Sequence, residues 1–159
     1  MRRVLTVLAG TALLATGCGA PPLPEVTFYS SGKTIYVHPT QYCDIESDNC
    51  AIDTRAAGVL RVRPGKPVQI SVPGNIANSA WSVKFTYRDA AGEEQEPLRS
   101  KVFTNADPQY AYTLELPKPD DQLESVEVQQ FGKRVQVDET GQIQFVARAT
   151  WVLSVDDRR

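Results

Sequence analysis

Strict two-residue alternation is the feature that most constrains this chain. Trp81, Val83, Phe85 and Tyr87 alternate with Ser82, Lys84, Thr86 and Arg88. Tyr110, Tyr112, Leu114 and Leu116 alternate with Ala111, Thr113 and Glu115. A third run places Ile143, Phe145, Ala147, Ala149, Trp151, Leu153 and Val155 against mostly polar partners. Successive side chains of an extended strand point to opposite faces, so each run predicts a strand with one buried and one wet face. The third run is long enough to predict a bend or bulge near Ala147–Ala149.

Weaker segments complete the pattern. Val26–Ser30 and Thr34–His38 flank Ser31-Gly32-Lys33, a hairpin turn. Leu60 and Val62, then Val68, Ile70 and Val72, lie either side of Pro64-Gly65-Lys66-Pro67, a second turn. Lys101–Thr104 reads as a short edge strand, and Val126 and Val128 begin a strand that Val135 and Val137 continue after a turn at Gly132. Turn residues recur about every ten positions, and no helical stripe follows the N-terminal region. Short strands at that spacing predict an all-β fold, an antiparallel β-sandwich that is immunoglobulin-like in architecture. The Cys…Trp…Cys order of antibody domains is absent, because Cys43 and Cys50 both precede Trp81. Trp81 and Trp151 are in phase with the apolar runs and are expected in the core.

The N-terminus predicts export. Arg2 and Arg3 precede an apolar stretch from Val4 to Ala15, which is short for a stable membrane span. It runs into Ala15-Thr16-Gly17-Cys18, where small residues allow an extended approach to a signal peptidase and the thiol accepts a lipid. Residues 1–17 therefore read as a cleaved lipoprotein signal peptide and Cys18 as the lipidated first residue, carrying palmitate-type chains. The alanine three positions before Cys18 departs mildly from the usual large residue. Residues 18–24 form a proline-rich tether, and 25–157 the sandwich domain. Several acyl chains make such an anchor stable where one would be marginal. The expected location is the extracytoplasmic face of the cell membrane.

In an exported chain, Cys43 and Cys50 are expected to form a disulfide. The spacing is not Cys-x-x-Cys, which argues against redox catalysis. Asp44, Glu46 and Asp48 lie inside the loop, but Asn49 and Arg55 stand where an EF-hand needs Gly and Glu. A solvated acidic loop is expected instead, with no metal.

Enzymatic signatures are missing. His38 is the only histidine and stands beside Pro39. No Gly-x-Ser-x-Gly elbow, phosphate loop or dinucleotide motif occurs. The only methionine is Met1, which argues against copper handling. Glu93, Glu94 and Glu96 read as a solvated loop cluster. Loss of Arg2 and Arg3 with the signal takes the net charge from −2 to −4, which excludes a phosphate-binding surface of the nucleic-acid type. Tyr29, Tyr36 and Tyr42 are out of phase with Phe28, Ile35 and Val37, so they are expected to face outward and to offer a partner-binding surface.

With Ile70-Ser71-Val72-Pro73 followed by Ala80-Trp81-Ser82-Val83, an early cysteine pair and a final Trp-bearing strand, the chain resembles the uncharacterised actinobacterial lipoproteins grouped as domain of unknown function 2771. The resemblance implies an envelope lipoprotein and supplies no catalytic residues. The expected function is that of a non-enzymatic, membrane-anchored binding or accessory domain, without a cofactor, whose partner is an envelope protein or glycolipid. The alternative is a lipid or glycolipid carrier with a pocket between the sheets.

Overall fold

A computed structural model describes residues 22–156 except 138 and 140. Residues 1–17, read above as a signal peptide, and Cys18 lie outside the described residues. Among the described residues, eleven strands form two sheets: β1 (Val26–Ser30), β2 (Lys33–Val37), β3 (Gln41–Tyr42), β4 (Ala51–Ile52), β5 (Gly58–Arg61), β6 (Val68–Ser71), β7 (Trp81–Arg88), β8 (Leu98–Arg99), β9 (Ala111–Leu114), β10 (Gln122–Val137) and β11 (Ile143–Asp156). The smaller sheet runs β2-β1-β6-β9. The larger runs β4-β3-β11-β10-β7-β8, with β5 also on β11. All pairings are antiparallel except β5 on β11, so the fold is a nearly all-antiparallel β-sandwich.

The local chemistry explains the connections. Ser31 and Gly32 both have positive φ, which closes the two-residue β1–β2 hairpin with a twist that suits the strands. Pro73 precedes a single helical turn, α1 (Gly74–Ala77), which turns Ile76 and Ala77 into the core between β6 and β7.

The sheets meet on Phe28, Ile70, Leu114, Trp81, Val128, Trp151 and Leu153, all buried, as the alternating runs predict. Both tryptophans are fully buried. Trp151 Nε1 donates to the Pro24 carbonyl at 2.8 Å, which fixes the start of the domain onto the core.

Three expectations need correction. Lys101–Thr104 is not a strand; Phe103 is buried there by a single bridge to Trp81, with ring centroids 4.6 Å apart, and the edge strand is β8. Gly132 is not a turn, because β10 runs through it to Val137 with a register irregularity. Tyr110 lies outside β9 and is exposed. In each case alternation marks an apolar face without saying which neighbour covers it. The expected bulge in β11 is present: Arg148 is extra between Ala147 and Ala149, which pair with Phe131 and Gln130.

Candidate functional site

The disulfide loop is built from its own side chains. Cys43 and Cys50 are bonded, with Cα atoms 4.0 Å apart. Inside the loop, the Asp44 carboxylate accepts from the Asp48 and Glu46 N–H groups and from the Asn49 side-chain amide. The Asn49 bond first, then that from Asp48, holds the Asp44 carboxyl below its ordinary range. The carboxylate is thus used inside the loop. Among the described residues no group of three His, Cys, Asp or Glu side chains is placed to hold a metal ion.

The loop's other acids face β10. Glu46 pairs with Lys133 at 2.8 Å and Asp48 with Arg134 at 3.0 Å. A Cβ on Gly132 would lie 2.2 Å from Ser47 Oγ and 3.2 Å from the Ile45 carbonyl oxygen, so glycine permits the loop's close approach. The sequence marks this loop as a solvated acidic cluster; its carboxylates are exposed, and two of them also pair with the strand they brace.

Beyond that brace, β10 and β11 continue as a two-stranded arm. Val135 pairs with Phe145 and Val137 with Ile143. The other strands stop short of it: β7 pairs with β10 only as far as Gln130, and β3 with β11 only at Ala149 and Thr150. Val137, Ile143 and Phe145 are 66%, 68% and 58% exposed. The sequence pattern places Ile143 and Phe145 on a buried face, but the extra residue at Arg148 shifts the alternation and turns them to the outer face of the larger sheet, with Phe131. Phe131 lies at the foot of this apolar face, its ring centroid 5.9 Å from that of Phe145. Val102 and Arg99 line the same shallow surface.

The three tyrosines do not form one site. Thr27 pairs with Tyr36 and Tyr29 with Thr34, which places both tyrosines on the outer face of the smaller sheet. They are 40% and 68% exposed. Tyr42 is in the larger sheet, packed against the core; its hydroxyl accepts from Arg148 Nη2 at 3.0 Å, and the guanidinium stacks over its ring. Tyr42 therefore positions the bulged Arg148. Tyr36 also borders a groove of about 510 Å³ lined by Pro22, Leu23, Pro24, Pro73 and Asn75. His38 pairs with Glu25 at 3.1 Å on the surface. The Glu93–Glu96 loop is organised by Asp89, whose carboxylate accepts from the Ala91 and Glu93 N–H groups.

Reducing the disulfide is expected to lower stability by about 2–3 kcal/mol, the cost of freeing a short loop in the unfolded chain. Denaturant melts of the oxidised and reduced protein measure it. A lower midpoint is the expected form, with a slope for the reduced protein equal to or slightly steeper than that of the oxidised one, because its unfolded chain is less restricted.

The profile of a family described as a protein of unknown function (DUF2771) matches residues 19–156. An uncharacterised protein of Mycobacterium bovis is 32% identical over 147 residues, covering 90% of this chain and 83% of the relative. Uncharacterised proteins from two strains of Mycobacterium tuberculosis match to the same extent. No solved structure matches the chain.

Proposed function

The chain belongs to the DUF2771 family, and from that premise we propose that it is a non-enzymatic binding or accessory domain carried at the extracytoplasmic face of the cell membrane on a lipid-modified Cys18. The family profile begins at residue 19, directly after that cysteine. Among the described residues no helix is long and apolar enough to cross a membrane.

One observation carries the binding reading. Tyr29 and Tyr36 stand exposed together on the outer face of the smaller sheet, and Tyr36 continues into a proline-lined groove. Aromatic rings offer large contact areas with few rotatable bonds, which suits recognition of a protein segment or a sugar face. The carrier alternative calls for a cavity of roughly 300–1,000 Å³ between the sheets. Trp81, Trp151, Phe28, Ile70 and Leu153 are fully buried there.

A photoreactive amino acid at position 36, installed in cells, tests the reading. A defined envelope protein or glycolipid should crosslink from position 36 and not from exposed position 59 on the other sheet. Tyr29→Ala should weaken the captured complex roughly tenfold, with an unchanged thermal melt. Equal labelling from both positions, or none from position 36, contradicts it.

A further inference from the structure

Among the described residues nothing covers the arm's apolar face. The side chains of Val135, Val137, Ile143 and Phe145 belong to two directly opposed pairs, and opposed residues share a face. Arg134 and Gln136 alternate with them on β10, and Gln144 lies between Ile143 and Phe145 on β11. The hairpin is thus amphipathic along its length. Lys133 and Arg134, beside it on β10, are turned to the disulfide loop by Glu46 and Asp48.

The tether enters at the same end of the sandwich. Trp151, which pairs with Val128, holds the Pro24 carbonyl. Gln130 Nε2 donates to the carbonyl of Asn75, and Asn75 borders the groove that Pro22 and Pro24 line. The foot of the arm and the root of the tether are therefore joined through α1 and its neighbours. From Cys18 to Pro22 the chain spans at most roughly 14 Å at full extension. Past Phe131, β10 runs on for roughly 15–20 Å. An arm as long as its tether, at the tethered end, lies within reach of the bilayer to which Cys18 would be fixed.

We infer that the β10–β11 arm is a second membrane contact, its Val135–Val137–Ile143–Phe145 face laid on the lipid surface. This rests on the anchoring reading. Arg99, beside Val102 and Phe131, borders the apolar face and suits anionic headgroups. The tip sequence Asp138-Glu139 and the unpaired strand edges oppose deep, tip-first insertion, because backbone groups without partners are costly in hydrocarbon. The arm lies flat at the interface, where headgroups and water satisfy its edges. The contact would fix how the tethered domain stands above the membrane, and so where the Tyr29–Tyr36 face points.

The test uses full-length protein extracted from its own membrane and placed in vesicles of phosphatidylethanolamine and phosphatidylglycerol. An environment-sensitive fluorophore is attached through Ile143→Cys or, on the opposite face, Gln136→Cys. Intact mass reports acylation of Cys18 in the same samples. The expected result is blue-shifted emission at 143, quenched by spin-labelled lipid, with position 136 still in water. Phe145→Asp should remove most of the blue shift at 143. Acylated protein with position 143 in water overturns the inference and leaves the anchoring reading intact. An unmodified Cys18 overturns the anchoring reading, and the label at 143 still decides lipid contact. Crosslinking of position 143 to a second copy or to another protein, without lipid quenching, assigns the face to that partner and overturns the inference.

Discussion

Trp151→Ala is expected to cost about 3–5 kcal/mol, enough to unfold most of a marginally stable domain. The side chain is fully buried where β11 pairs with β10, and its removal leaves a large cavity between the sheets. Its indole N–H also ties Pro24 to the core, so the start of the domain loosens with it. Trp151→Phe separates the two effects, since most of the volume stays and only the bond to Pro24 is lost, worth about 1 kcal/mol. Trp81 is the control. It is equally buried, but its Nε1 has no hydrogen-bond partner among the described residues. Trp81→Phe should therefore cost less than Trp151→Phe. Urea midpoints for the three variants check the order.

Gly65→Ala is the second large effect. Gly65 has φ of +65°, and a Cβ there would lie 1.9 Å from the Pro119 carbonyl oxygen. Backbone cannot rotate away as a side chain does, so the Pro64–Pro67 turn and the Pro117–Asp121 loop must separate. That separation breaks the bond from Gly65 N–H to the Asp121 carbonyl. Left-handed strain and steric displacement together should cost about 2–4 kcal/mol. Gly92→Ala isolates the strain. Its φ is +84° with open space around it, so about 1 kcal/mol is expected. Similar costs at both sites would show that the Pro119 contact contributes nothing.

The sandwich was legible because alternation reports which side chains must be covered. Val68, Ile70 and Val72, and the Trp81 run, lie where that logic places them. The disulfide and the β11 bulge were legible too, the first from compartment and spacing, the second from strand length. What alternation cannot report is a change of phase at a bulge. Ile143 and Phe145 keep the numbering of Trp151 and Leu153, yet the extra residue at Arg148 turns them to the other face of the larger sheet, beside Phe131 and Arg99. Phe103 shows the converse, a buried aromatic in a segment with no regular strand. Gly132 resembles a turn glycine because a close approach by a distant loop leaves no local trace in sequence. Tyr42 follows the outward phase of Tyr29 and Tyr36, but β3 belongs to the other sheet, where Arg148 claims its hydroxyl.

These placements divide the surface by task. The disulfide loop braces β10, the arm extends past the last strands paired to β10 and β11, and the exposed tyrosines occupy a separate sheet face. A brace that depends on a disulfide suits an oxidising compartment, which agrees with the export signal that the N-terminus predicts.

Native mass spectrometry of the protein, extracted gently from its own membrane, decides whether it is an anchored binding domain. The expected chain starts at Cys18, bears acyl groups there and keeps its disulfide. It should also carry a partner that Tyr29→Ala combined with Tyr36→Ala removes. An unmodified chain that retains a lipid or glycolipid in both forms would contradict the anchored binding domain and favour a carrier.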